Sequence, residues 1–156
     1  MKTVMAIALA CACLTGVAQA TEPLMIHKAW VREMPPGTQN AAAYMMLHNA
    51  SDKARRVVAA DTTVAERTEL HTVKQVDGVM KMMQLDGLDV PSQGMASLEP
   101  GGNHVMLLGV QDRLIEGQAV LITLRYANGE TQTVELPVKR GEPMQHGEHK
   151  MNHDNN

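Results

Sequence analysis

Two residues with donor atoms for a soft metal stand one apart in Pro100-Gly-Gly-Asn-His104-Val-Met106. On a β-strand, positions i and i+2 project from the same face, so the His104 imidazole and the Met106 thioether would point at one target. Upstream, His71 lies in Thr-Glu-Leu-His-Thr and Met82 in Val-Met-Lys-Met-Met-Gln, on either side of Asp77-Gly78. A tight turn at Asp77-Gly78 would set His71 and Met82 across from each other, at nearly equal distance from the turn. Two imidazoles and two thioethers could then converge. Thioethers are soft and neutral and imidazole is borderline, so this set favours Cu(I) and suits Zn(II), Mg(II) or Ca(II) poorly. With no carboxylate or thiolate in the set, the ion's charge is uncompensated, as suits a metal that is to be handed on.

The elements that must position these residues read as strands. Short β segments are expected near 24–32, 42–49, 54–60, 67–76, 79–85, 95–99, 104–110, 118–126 and 131–139, with a short helical turn around 61–66. The firmest pair flanks Asn128-Gly129, where both turn positions tolerate φ > 0. Pro35-Pro36-Gly37, Pro91 and Pro100-Gly101-Gly102 punctuate loops, and the double glycine is read as a turn that aims His104. Many short strands, no long amphipathic helix and no internal repeat predict an all-β, Greek-key β-sandwich with a single domain over 21–140.

Both ends differ from this core. Residues 1–20, MKTVMAIALACACLTGVAQA, carry Lys2, an apolar run and a terminal Ala18-Gln-Ala20, the pattern of a cleaved secretory leader. The residues before Cys11 and Cys13 make a poor lipobox, so a soluble periplasmic product without stable membrane insertion is expected. Both cysteines lie in that leader. The mature chain therefore has no disulfide, no zinc–thiolate site and no cysteine for a blue-copper centre. Residues 141–156 are polar and aperiodic and read as a disordered tail. His146, His149 and His153 with Met144 and Met151 make the tail a secondary candidate for Cu(II) capture.

The chain has 17 acidic and 14 basic residues. A mild negative charge without a basic stripe argues against nucleic acid. Aromatic residues are Trp30, Tyr44 and Tyr126 only, against 13 methionines. Methionine fills cores that lack phenylalanine, so most of them are expected to be structural. Trp30 is read as a core anchor, Met83 as core, and Met34 as a loop residue near the metal rim. Met80 shares a face with Met82. Met25 and His27, and likewise Met45, Met46 and His48, are read as plain strand residues, and Arg32, Glu33, Arg55 and Arg56 as a solvated face.

The spacing His71-x10-Met82-x21-His104-x-Met106 resembles the signature of the periplasmic PCu(A)C copper chaperones. Trp30-Val-Arg-Glu-Met-Pro-Pro-Gly, Asn40-Ala-Ala-Ala-Tyr, Glu69-Leu-His-Thr and Gly78-Val-Met-Lys-Met are similar to further segments of that family, and the likeness spans about residues 24–139. Thr72 stands where the family often has a methionine after the first histidine. The resemblance implies a cupredoxin-like β-sandwich that binds one Cu(I) through His71, Met82, His104 and Met106. It also implies delivery to the dinuclear copper centre of cytochrome c oxidase, with an oxidase subunit or another assembly chaperone as acceptor. A monomeric, non-enzymatic carrier is expected. The rival readings are a copper buffer or resistance protein without a dedicated acceptor, and a copper redox protein. No Ser-His-Asp set, paired catalytic carboxylates or phosphate-binding glycine loop supports an enzyme.

Overall fold

Alternation of apolar and polar residues along short segments produces ten strands in the computed structural model, which describes residues 22–141. In chain order they are β1 (Met25–Arg32), β2 (Asn40–Asn49), β3 (Arg55–Asp61), β4 (Ala65–Val76), β5 (Val79–Gln84), β6 (Leu88–Val90), β7 (Gly94–Leu98), β8 (His104–Val110), β9 (Ala119–Tyr126) and β10 (Thr131–Lys139). One hydrogen-bonded path runs β5-β4-β8-β2-β1-β10-β9-β3-β6, with β7 pairing β2 beyond the end of β8. The path folds over at the short parallel seam between β1 and β10, where Val31 meets Val138 and Arg32 meets Lys139. The result is an all-β sandwich, with β5, β4, β8, β2, β7 and β1 in one leaf and β10, β9, β3 and β6 in the other.

The core lies between the leaves. Ala41, Ala43, Met45 and Leu47 of β2, Val105 and Leu107 of β8, and Leu70 of β4 are all buried. They share the core with Val57, Leu88, Val90, Val120, Ile122, Leu124, Leu136 and Val138. Each fully buried Val, Leu or Ile contributes roughly 1.5–3 kcal/mol, so this face fixes the strand phase. A slip of one residue would turn every side chain over. The alternate positions, including His104, Met106 and His71, are thereby held on the outward face of the first leaf.

Several expectations need correction. Residues 61–66 hold no helical turn: Asp61 ends β3, a bend follows, and β4 starts at Ala65. β6 is absent from the sequence reading because its three residues, Leu-Asp-Val, are too few to show alternation. In the β9–β10 hairpin only Gly129 has a positive φ, of 86°. The loop is Ala127-Asn128-Gly129, closed by Gly129 N–H to Tyr126 O at 2.9 Å. Asn128 instead accepts the Glu130 N–H on its side-chain oxygen at 3.1 Å. This is a three-residue loop with glycine in the left-handed position. Trp30 is half-buried on the outward face and stacks on Tyr44, with ring centroids 4.8 Å apart. Met34, not Trp30, is the core residue, and its sulfur accepts the Leu114 N–H. Met83 is exposed, because β5 is an edge strand that overhangs the sandwich. Arg55 is buried, paired with Glu130 at 2.6 Å and stacked on Tyr126 at 4.0 Å.

Candidate metal centre

The four sequence-selected residues come from three adjacent strands. β4 and β8 pair so that His71 stands directly opposite His104 and Glu69 opposite Met106. Opposite positions of an antiparallel pair share a face. The Asp77-Gly78 turn has φ of 53° and 79° at its two positions, the geometry of a two-residue hairpin loop. It pairs Val76 with Val79, so Val73 meets Met82 and His71 meets Gln84. Met82 therefore lies diagonal to His71 on the same face, two positions from the direct opposition expected from the turn. Met80 shares this face one row further out and is exposed. Position 72 points the other way: Thr72 is buried on the inner face.

The geometry of the two imidazoles is specific. Their centroids are 5.8 Å apart and the rings are nearly perpendicular, at 66°. A metal–imidazole bond of about 2.0 Å puts a ring centroid roughly 3 Å from the ion, so this separation accommodates one ion between the rings. Each ring has one nitrogen held and the other without a hydrogen-bond partner. His104 Nδ1–H donates to the Gly102 carbonyl at 3.1 Å, which leaves the Nε2 lone pair for a ligand. That carbonyl is supplied by the turn after β7, in which Gly101 adopts φ of 81°. His71 Nε2–H donates to the Glu69 carboxylate at 2.7 Å, and its Nδ1 is buried with no partner. An unpaired buried nitrogen is costly, and a metal would satisfy it. Ring nitrogens oriented by a carboxylate or carbonyl are the usual support of metal-binding histidines.

Met82, His104 and Met106 line an open recess of about 290 Å³, with Tyr44, Arg32 and Val73 around them. Burial pushes the His104 imidazole below its ordinary pKa. The bond to Gly102 opposes that shift, and the neighbouring His71 ring adds to it. The neutral ring keeps its lone pair. Arg32 brings a positive charge to the rim, its guanidinium 5.5 Å from the Tyr44 ring. Among the described residues no three of His, Cys, Asp and Glu converge on a metal position. The further donors beside His104 on the recess are the thioethers of Met82 and Met106, which suit a soft ion.

Glu69 was missed by the sequence reading, which took the site to have no carboxylate. Its signal was present as Glu-x-His, two residues that share a strand face. The carboxylate sits behind His71 and also pairs with Arg67 at 2.8 Å, so part of an incoming ion's charge is balanced through the ring. Met34 is too deep to serve the rim. The tail residues His146, His149, His153, Met144 and Met151 lie outside the described residues, as do residues 1–20.

Comparisons with known proteins agree with this fold. The copper-bound PCuAC domain of PmoF2 superposes with a TM-score of 0.65 at 21% identity, covering 78% of this chain and 97% of that domain. The Cu(I) form of DR1885 from Deinococcus radiodurans, solved in solution, is 35% identical. It covers 80% of this chain and 83% of that protein with a TM-score of 0.64. The apo form of the same protein is 33% identical, with a TM-score of 0.61, covering 90% of this chain and 95% of that protein. The architecture is thus the cupredoxin-like one of PCuAC domains. Among curated sequences, the "Putative lipoprotein Lxx21020" of Leifsonia xyli subsp. xyli is 32% identical over 117 residues, 74% of this chain and 69% of that protein. The profile described as "Putative lipoprotein LpqE-like" matches residues 24–138, and the chain belongs to this LpqE-like family.

Proposed function

We propose that the protein is an exported copper chaperone that carries one Cu(I) on His71, Met82, His104 and Met106 and releases it to an acceptor. One observation carries this reading: the His104 imidazole lines one open recess with the Met82 and Met106 thioethers, and the His71 ring, 5.8 Å from that of His104, is held by a hydrogen bond at Nε2 and has its buried Nδ1 unpartnered. The copper-bound and Cu(I)-bound relatives support the choice of ion. Copper is cargo here, and no bond of a substrate is made or broken.

Release follows from the exposure of the ligands. Met82 is 52% exposed on the edge strand, whereas His104 is 4% exposed. A partner's thiolate or imidazole reaches Met82 first, and the histidines let go last. Cytochrome c oxidase, at its dinuclear copper centre, is the acceptor we favour. Residues 1–20 would direct export to the periplasm. Among the described residues no helix is long and apolar enough to cross a membrane. The tail histidines would be an auxiliary Cu(II) port.

The test is an anaerobic Cu(I) competition titration of the mature chain, residues 21–156, beside Met106→Ala. One tight equivalent that the substitution weakens supports the site; a first equivalent unchanged by it refutes the site. Transfer of the bound copper to an isolated apo dinuclear-copper domain tests the acceptor separately.

A further inference from the structure

A second group of soft donors, of which Met25, His27, Met46 and His48 are read in the sequence as ordinary strand residues, is brought together with Met95 by strand register. β1 pairs β2 with Met25 opposite His48 and His27 opposite Met46. On the other side of β2, β7 places Met95 opposite His48 and Ser97 opposite Met46. Met25, His48 and Met95 therefore form one row across three strands, and His27 and Met46 lie in the next. The faces are fixed by the core: Leu47 is fully buried between His48 and Met46, and Leu98, opposite Met45, is buried too. All five donors thus face outward, on the same side of the leaf as the first site.

We propose that this row is a second Cu(I) site, with the His48 imidazole flanked by the Met25 and Met95 thioethers and His27 and Met46 within reach. Directly opposed side chains have Cβ atoms about 4.5–5.5 Å apart, so two thioethers can meet above one imidazole. Met25 and Met95 are 42% and 60% exposed; core filling does not explain them. Neither His27 nor His48 makes a side-chain hydrogen bond among the described residues. The two rows contain no carboxylate, so the set is neutral and soft, which selects Cu(I) over Zn(II) or Ca(II). Lys28, exposed beside His27, adds a positive neighbour, so this site binds more weakly than the first.

The two sites load separately. Ala42 of β2 stands opposite Met106, and His48 lies six residues further along the same strand, about 20 Å at the usual strand rise. The Trp30–Tyr44 stack occupies the face between them. This assignment does not rest on the first site.

The experiment is a titration of the mature chain, carrying 13C-labelled methionine methyls, with Cu(I) held by a competing chelator and read by proton–carbon correlation spectra. The Met25 and Met95 methyls should move with an equivalent of copper distinct from, and weaker than, the one that moves Met82 and Met106. Met95→Leu and His48→Gln, both at accessible positions, should each weaken that step at least tenfold and leave the Met82 and Met106 shifts unchanged. Stationary Met25 and Met95 methyls after two equivalents, with the second taken up at Met144 and Met151 in the tail, would overturn the proposal. So would Met25 and Met95 shifts that persist unweakened in His48→Gln.

Discussion

Removing the Glu69 carboxylate should weaken Cu(I) binding without removing any ligand. In the structure this group accepts the His71 Nε2–H at 2.7 Å, which holds the proton on that nitrogen and leaves the buried Nδ1 without a partner. Hydrogen bonds to an ionised partner contribute about 1.5–3 kcal/mol. The Arg67 contact draws on the same carboxylate, but its side chain is 68% exposed, and such a pair is worth little. Loss of an orienting partner behind a metal-bound histidine typically costs 10–100-fold in affinity, or about 1.4–2.7 kcal/mol. We expect Glu69→Ala to fall in that range. Glu69→Gln, whose amide oxygen can still accept the Nε2–H, should lose less. The assay is chelator competition under anaerobic conditions at fixed pH, with nitrogen-15 spectra of the apo imidazoles to read the tautomer. Wild-type affinity in Glu69→Ala, with His71 still protonated at Nε2, would refute the argument that the carboxylate sets the ring.

Other expectations follow from the same geometry. Met82→Leu should weaken Cu(I) binding while shifting apo stability by less than about 0.5 kcal/mol, since the residue is exposed at an edge; chelator competition and thermal unfolding read the two effects. Leu107→Ala, on the fully buried face of β8, should cost about 2–5 kcal/mol in chemical unfolding. Copper at 100 times its dissociation constant should restore about 2.7 kcal/mol of that loss. Burial raises both tyrosine pKa values above 10, against the opposing charges of Arg32 at Tyr44 and Arg55 at Tyr126. The unfolded chain then ionises first, so this stability is complete below pH 10 and is lost as pH rises through the folded values. Phenolate absorbance followed alongside unfolding checks this, because the chain has only two tyrosines.

Much of the fold was legible because alternation and turn residues agree along most strands. The Asp77-Gly78 turn is an example: both residues take positive φ, as the dipeptide suggests. What failed was what alternation does not encode. Three residues are too few to reveal β6. The inward turn of Met34 depends on a tertiary contact with Leu114. Met83 looks like core in its strand, yet among the described residues its place on an edge strand leaves it 40% exposed. Donor type and spacing singled out Met82, His104 and Met106, which line the recess, and His71, which stands opposite His104, but the diagonal offset and the support from Glu69 required register. The row of Met25, His48 and Met95 was invisible for the same reason. Its members lie far apart in the chain, and only the pairing of β2 with two neighbours places them side by side.

β1 changes register against β2 between His27 and Trp30, where Lys28 takes a φ of 50°. Two residues there oppose one, so β1 carries one residue of slack. A regular strand of the same length would send Met25 and His27 into the core whenever Trp30 faced out. With the slack, length and facing are uncoupled at this point. Deleting Lys28 would straighten the strand and still leave Met25 opposite His48, whereas a deletion two residues earlier would break that match. The N-terminal stretch of the sheet can therefore lose a residue at Lys28 while Met25 and His27 keep their outward facing.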